Sequence, residues 1–150
     1  MQKSEEHIYD VTINWNEGKT GVMNSEKLEQ EVEVATPPEF PGGVEGIWSP
    51  EHLFTASVGS CLMTSFTAIA EYSKFEFDSL KVKTLGTMSK VDGKFVMSKI
   101  TLKPLLTISD EKYEKKAHRL LKKAENICLI SRSIKSEIVF EPEVKVLVSE

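Results

Sequence analysis

The run from Leu53 to Ala70 contains no charged residue, and it limits what the rest of the chain can fold around. A stretch of this length is enough to nominate a membrane span. Thr55, Ser57, Gly59, Ser60, Thr64, Ser65 and Thr67 dilute it heavily, and it lies between strand-like segments with no second span. A helix that is apolar all round in a globular protein is a buried central helix, and that is the expectation here. Ser49-Pro50-Glu51 supplies its start. The serine oxygen can accept a backbone N–H, proline fits the first helical position, and the carboxylate complements the positive end of the dipole. The helix is expected to run to about Tyr72.

The flanking segments alternate. Tyr9, Val11, Ile13 and Trp15 occupy every second position, and Asn16-Glu17-Gly18 follows as a turn. Thr20 and Val22 continue to Asn24-Ser25, and Leu28, Gln30, Val32 and Val34 form a third strand. Period 2 broken by turn residues predicts an antiparallel meander with one wet face. The segment Pro37 to Gly43 is a loop, and its glycines match neither dinucleotide-binding nor Walker spacing. After the helix, Phe75, Phe77, Leu80, Val82 and Thr84 read as a strand. Asp92-Gly93 marks a hairpin, and Phe95 to Thr107 returns as the next strand.

Ser109-Asp110-Glu111 opens a second helix. Tyr113, Ala117, Leu120, Leu121, Ala124 and Cys128 lie at helical spacing along it. Its lysines and Arg119 read as the solvated side of an amphipathic helix. No aromatic residues interleave them as a nucleic-acid stacking platform requires. Ile138, Phe140, Val144, Val146 and Val148 form a last strand, with Pro142 marking an edge or bulge. Three strands, helix, two strands, helix and strand make an α+β fold, expected as a single domain over residues 1–150. A net charge of -4 gives no global attraction to nucleic acid or anionic lipid. Met1 to His7 has no apolar core of a secretory signal, so a cytoplasmic setting is expected, with no membrane partner.

In a reducing compartment, a chain with only two cysteines, Cys61 and Cys128, is not a disulfide scaffold. Each cysteine admits two readings, an inert core residue or a reactive thiol. Cys61 is flanked by small residues that leave room for a second backbone or a small substrate. It lies about three turns into its helix, so that helix's own dipole cannot lower its pKa, and a side chain from elsewhere is expected to do so. As a pair, the cysteines have what reversible thiol oxidation requires, a nucleophile and a resolving partner. Glu51 is ten residues before Cys61, about 15 Å along a straight helix, and needs a basic partner to bridge toward the thiol. His7, His52 and His118 are widely spaced, so neither a metal site nor a bound cofactor is expected.

The segment Trp48 to Leu62, with Glu51 and Cys61, resembles the first cysteine motif of the OsmC/Ohr family. Cys128-Leu129-Ile130-Ser131-Arg132-Ser133-Ile134 resembles its second, and the element order agrees over nearly the whole chain. The resemblance implies an OsmC-like intertwined homodimer, with antiparallel sheets wrapped around two central helices. It implies a thiol-dependent peroxidase acting on organic hydroperoxides. Cys61 would be the peroxidatic nucleophile and Cys128 the resolving thiol, with an external dithiol, often a lipoyl group, as reductant. Glu51 matches the family's glutamate. Lys19 stands at the position of the family's active-site arginine, and Leu129 stands where the family often has proline. Arg132 is the alternative source of a guanidinium. Two other readings share the same thiols: a redox-sensing or small-molecule-binding protein with little turnover, and an enzyme directing Cys61 at another small apolar electrophile.

Overall fold

The computed structural model describes residues 5–147. Met1 to Ser4 of the N-terminal segment, and Val148 of the last expected strand, lie outside the described residues. The chain divides into two compact units, Met1–Pro50 and Glu51–Glu150.

In the first unit, β1 (Thr12–Glu17), β2 (Thr20–Ser25) and β3 (Leu28–Ala35) form the expected meander, antiparallel throughout. β1 begins at Thr12, so Tyr9 and Val11 precede it rather than pair within it. Trp15 donates its indole N–H to the Gly18 carbonyl at 2.9 Å, which closes the β1–β2 turn. The loop then folds back on β3. The Trp48 carbonyl accepts the Ala35 N–H, and the Lys19 carbonyl accepts that of Thr36. The one-wet-face pattern is only partly realised, because every residue of β1 is exposed within the chain.

The second unit opens with α1 (Pro50–Tyr72), with the bounds the sequence indicates. Its end is a Schellman motif on a residue other than glycine. Lys74 adopts φ +53°, Phe75 N–H bonds the Ala70 carbonyl, and Lys74 N–H bonds that of Glu71. The motif turns Phe75 into the core, so Phe75 and Phe77 belong to a packed connection and the strand β4 (Ser79–Val91) starts later than the alternation suggests. Asp92 and Gly93, both at positive φ, form the hairpin turn to β5 (Lys94–Ile108).

Asp110 caps a single 3-10 turn at Glu111–Tyr113 by accepting the Lys112 N–H, and α2 (Glu114–Ile127) follows. A four-residue helix, α3 (Leu129–Arg132), comes next and was not anticipated. The last expected strand is divided into β6 (Glu137–Phe140) and β7 (Glu143–Val146). β6 pairs with Lys99 to Leu102 of β5, and β7 with Leu105 to Ile108. Lys103 and Pro104 fall between the two, opposite Glu141 and Pro142. Proline on both sides of the gap removes two of the donors that a continuous ladder would use.

Both of these pairings are parallel, so the expected wholly antiparallel sheets are corrected to one antiparallel and one mixed sheet. The cause is the helical crossover. Residues 109–136 carry the chain from the end of β5 back to its beginning before β6 sets out in the same direction.

The core of this unit is one cluster. Val58, Leu62, Phe66 and Ile69 of α1 and Ala117, Leu120, Leu121 and Ala124 of α2 pack with Ile100, Leu102, Leu106 and Ile108 of β5. α1 is therefore buried on one stripe, not all round. Ser60, Met63, Thr64, Thr67 and Ala68 are exposed within the chain, Met63 by 41%.

Candidate thiol site

The strand and helices of the second unit bring Cys61 and Cys128 together. Cys61 is half-buried in the middle of α1, and Cys128 is fully buried. Cys128 is not the last residue of α2. Its backbone leaves the helix there (φ -62°, ψ 110°), and it serves as the N-cap residue of α3. The kink is fixed on both sides, since Cys128 N–H bonds the Glu125 carbonyl and Arg132 N–H bonds the Cys128 carbonyl.

The first N–H groups of a helix have no partner within it. At α3 these belong to Leu129 and Ile130, and both favour the charged form of Cys61. Burial pushes the Cys61 thiol up. The Ile130 amide, the Cys128 thiol, the Ser65 hydroxyl and the Leu129 amide favour the thiolate and outweigh burial, so its pKa lies below the ordinary thiol value. Burial also pushes Cys128 up. The Ser131 side chain and amide oppose that rise, the neighbouring Cys61 adds to it, and the net displacement is upward.

The groups bearing on Cys61 are two side chains, Cys128 from elsewhere as expected and Ser65 from its own helix, and two backbone donors that a side-chain reading does not anticipate. Sequence reasoning missed them because a four-residue helix leaves almost no periodic signal. Ser65 was also passed over as merely small, although its i+4 spacing from Cys61 puts it on the same helix face.

The groups that act on Cys61 do not include the other candidate residues. Glu51 sits in the first turn of α1, and its Oε1 is buried with no hydrogen-bond partner among the described residues. Lys19 belongs to the first unit, where it is exposed and lays its aliphatic stem over Gly42. Arg132 is exposed at the end of α3. The space expected beside Gly59 is filled by β4, because a Cβ there would overlap the Thr84 side chain. Among the described residues, no cluster of three or more His, Cys, Asp or Glu side chains is placed to hold a metal ion.

The site is a pair of neighbouring thiols on an α+β scaffold, half-buried Cys61 with its pKa lowered and buried Cys128 with its pKa raised. The model of the OsmC-like protein family matches residues 42–143, and the chain belongs to that family. It is 26% identical over 144 residues to YmaD, an uncharacterized protein of Bacillus subtilis, covering 94% of this chain and 95% of that one. An OsmC-like protein of unknown function from Vibrio cholerae superposes with a TM-score of 0.81 at 19% identity, covering 91% of this chain and 99% of that one. An organic hydroperoxide resistance protein OsmC from Legionella pneumophila superposes with a TM-score of 0.74 at 19% identity, covering 95% and 100%. At these identities the superpositions establish the shared fold.

Proposed function

We propose that the protein is a thiol-dependent peroxidase that reduces organic hydroperoxides to alcohols. The observation that carries this reading is a pair of neighbouring free cysteines of unlike burial, half-buried Cys61 and buried Cys128, on an OsmC-like chain, and their environments displace Cys61 toward thiolate and Cys128 toward thiol. A thiolate is the nucleophile for a peroxide, and a neighbouring protonated thiol is both a proton source and a trap for the product.

The Cys61 thiolate attacks one oxygen of ROOH. The O–O bond breaks, the electron pair leaves on the alkoxide, and a proton converts it to ROH. Cys61 becomes a sulfenic acid. The Cys128 sulfur then attacks the Cys61 sulfur, expelling the sulfenic oxygen as water and forming a Cys61–Cys128 disulfide. An external dithiol, a lipoyl group in this reading, returns both cysteines to thiols and is itself oxidised to a disulfide. No tightly bound cofactor is required. Glu51 and Lys19 take the roles of the family's carboxylate and cation.

The protein works in this reading as a cytoplasmic homodimer in the response to oxidative stress. The uncharged, exposed face of α1 at Ser60, Met63, Thr64 and Thr67 is a surface that a second copy would cover.

The test treats the protein with one equivalent of cumene hydroperoxide, followed by intact-mass analysis. Wild type should lose two hydrogens, and Cys128→Ser should gain one oxygen at Cys61 that dimedone captures. Sustained peroxide consumption with dihydrolipoamide should follow in wild type and vanish in Cys61→Ser. Unmodified thiols after peroxide exposure would overturn the reading. One round of oxidation without turnover would favour the redox-sensing alternative, for which the lysine in place of arginine at position 19 is the motivation. Lysine provides charge without the planar fork that holds a carboxylate and faces a sulfur together.

A further inference from the structure

Six serine and threonine side chains lie along α1, and five return to their own helix. Thr55 donates to the Glu51 carbonyl, Ser57 to Phe54, Ser60 to Ser57, Thr64 to Cys61 and Thr67 to Thr64. This is the ordinary fate of serine and threonine inside a helix. Ser65 is different. Its Oγ is directed to the Cys61 sulfur, 3.9 Å away, one turn along the same face.

We infer that Ser65 is a positioning residue for the Cys61 thiolate. It donates its hydroxyl hydrogen to the sulfur and fixes the sulfur's place on the helix that carries both residues. This role rests on the reading of Cys61 as the reacting thiol.

The direction of donation follows from the rest of the site. A thiolate has no proton to give, so between Cys61 and Ser65 only the serine can donate. The sulfur is met from its own helix by Ser65 and from the α2–α3 junction by the amides of Leu129 and Ile130 and the thiol of Cys128. Cys128 is the titratable group facing it, and it favours the same charge state. The donors therefore converge from two elements. Three of them belong to the segment that begins at Cys128, and one of the three, the Cys128 thiol, is consumed when a disulfide forms. Ser65 is fixed to the helix that carries Cys61 and keeps its place whatever Cys128 does. It is thus the side-chain donor that remains when Cys128 is oxidised or replaced.

The test is the pH profile of Cys61 alkylation by iodoacetamide in Cys128→Ser, where Cys61 is the sole thiol. Ser65→Ala in that background should move the midpoint upward and slow alkylation at pH 7 by roughly three- to ten-fold, the range for loss of one modest donor. The rate on the high-pH plateau should be unchanged. Ser65→Thr should retain the parent profile, since it keeps the hydroxyl. An Ala profile equal to the parent's would overturn the inference. Equal shifts in Ala and Thr would also overturn it, by assigning the effect to packing. Thermal melting of each variant identifies one that has lost its fold, and Ser65→Val, close in shape to Ser65→Thr but without the hydroxyl, then serves as a second donor-free variant. Peroxide oxidation is scored separately. A Ser65-dependent profile without any oxidation by hydroperoxide removes the peroxidase reading and leaves Ser65's role standing. Oxidation without Ser65 dependence does the reverse.

Discussion

Gly59 of α1 lies directly against Thr84 of β4, so closely that a Cβ on the glycine would overlap the threonine hydroxyl. Two turns of contact are built this way, because a Cβ on Gly86 would likewise overlap the Thr55 hydroxyl. The helix can approach the strand only because the two surfaces exchange a missing side chain for a small one. Gly59→Ala is expected to destabilise the protein by about 1–2 kcal/mol. Overpacking costs about 1–3 kcal/mol, and the better helix propensity of alanine returns up to about 1. Urea unfolding checks this, and Gly59→Ala/Thr84→Ala should recover part of the loss as a coupled pair.

Lys74 holds the left-handed position that ends α1, at φ +53°. A residue with a Cβ pays roughly 1–2 kcal/mol there, whereas glycine pays mainly unfolded-state entropy of about 0.5–1 kcal/mol. Lys74→Gly should therefore raise stability by about 0.5–1 kcal/mol, seen as a higher urea midpoint with an unchanged slope.

Phe66 is fully buried and meets Phe77 edge to face, with ring centroids 5.3 Å apart. It joins the core stripe of α1 to the connection that follows the Schellman turn. Phe66→Ala should cost about 3–5 kcal/mol, the range for deleting a buried aromatic ring. Phe77→Ala should cost less, because Phe77 is only partly buried.

These same elements divide what the sequence makes legible from what it does not. The start of α1 was legible because its signals are local, a serine, proline and glutamate with an uncharged run behind them, whereas its end could be placed only at about Tyr72. The Asp92-Gly93 turn is local too. The parallel pairing of β6 and β7 was not legible, since it depends on where α2 returns the chain. Lys74 also hid the helix end, where glycine would have announced it. At the site, the two cysteines stood out by their rarity, whereas the amides that act on Cys61 belong to no residue type at all. Backbone N–H groups are present at every position but proline, and only the bend at Cys128 leaves two of them to favour the charged form of a thiol.

Leu129 tests that last point directly. A proline at this position, as the OsmC/Ohr pattern often has, would lack the N–H that Leu129 offers to Cys61. The backbone accepts the change, because position 129 is the first residue of α3 and Cys128 before it is extended, as a residue preceding proline prefers. Leu129→Pro should therefore fold normally. In wild type the lowered pKa of Cys61 makes it the thiolate at lower pH, while raised Cys128 stays protonated until the solution is more alkaline. Iodoacetamide should thus label Cys61 before Cys128 as pH is increased, and peptide mass analysis would resolve the order. Leu129→Pro should move the Cys61 midpoint upward and narrow that separation, with the Ile130 amide, the larger of the two backbone influences, still in place. Unfolding in urea should abolish the separation altogether, because both thiols then return to the ordinary value near about 8.5. An unchanged Cys61 midpoint in Leu129→Pro would mean that the amide of residue 129 does not act on the sulfur.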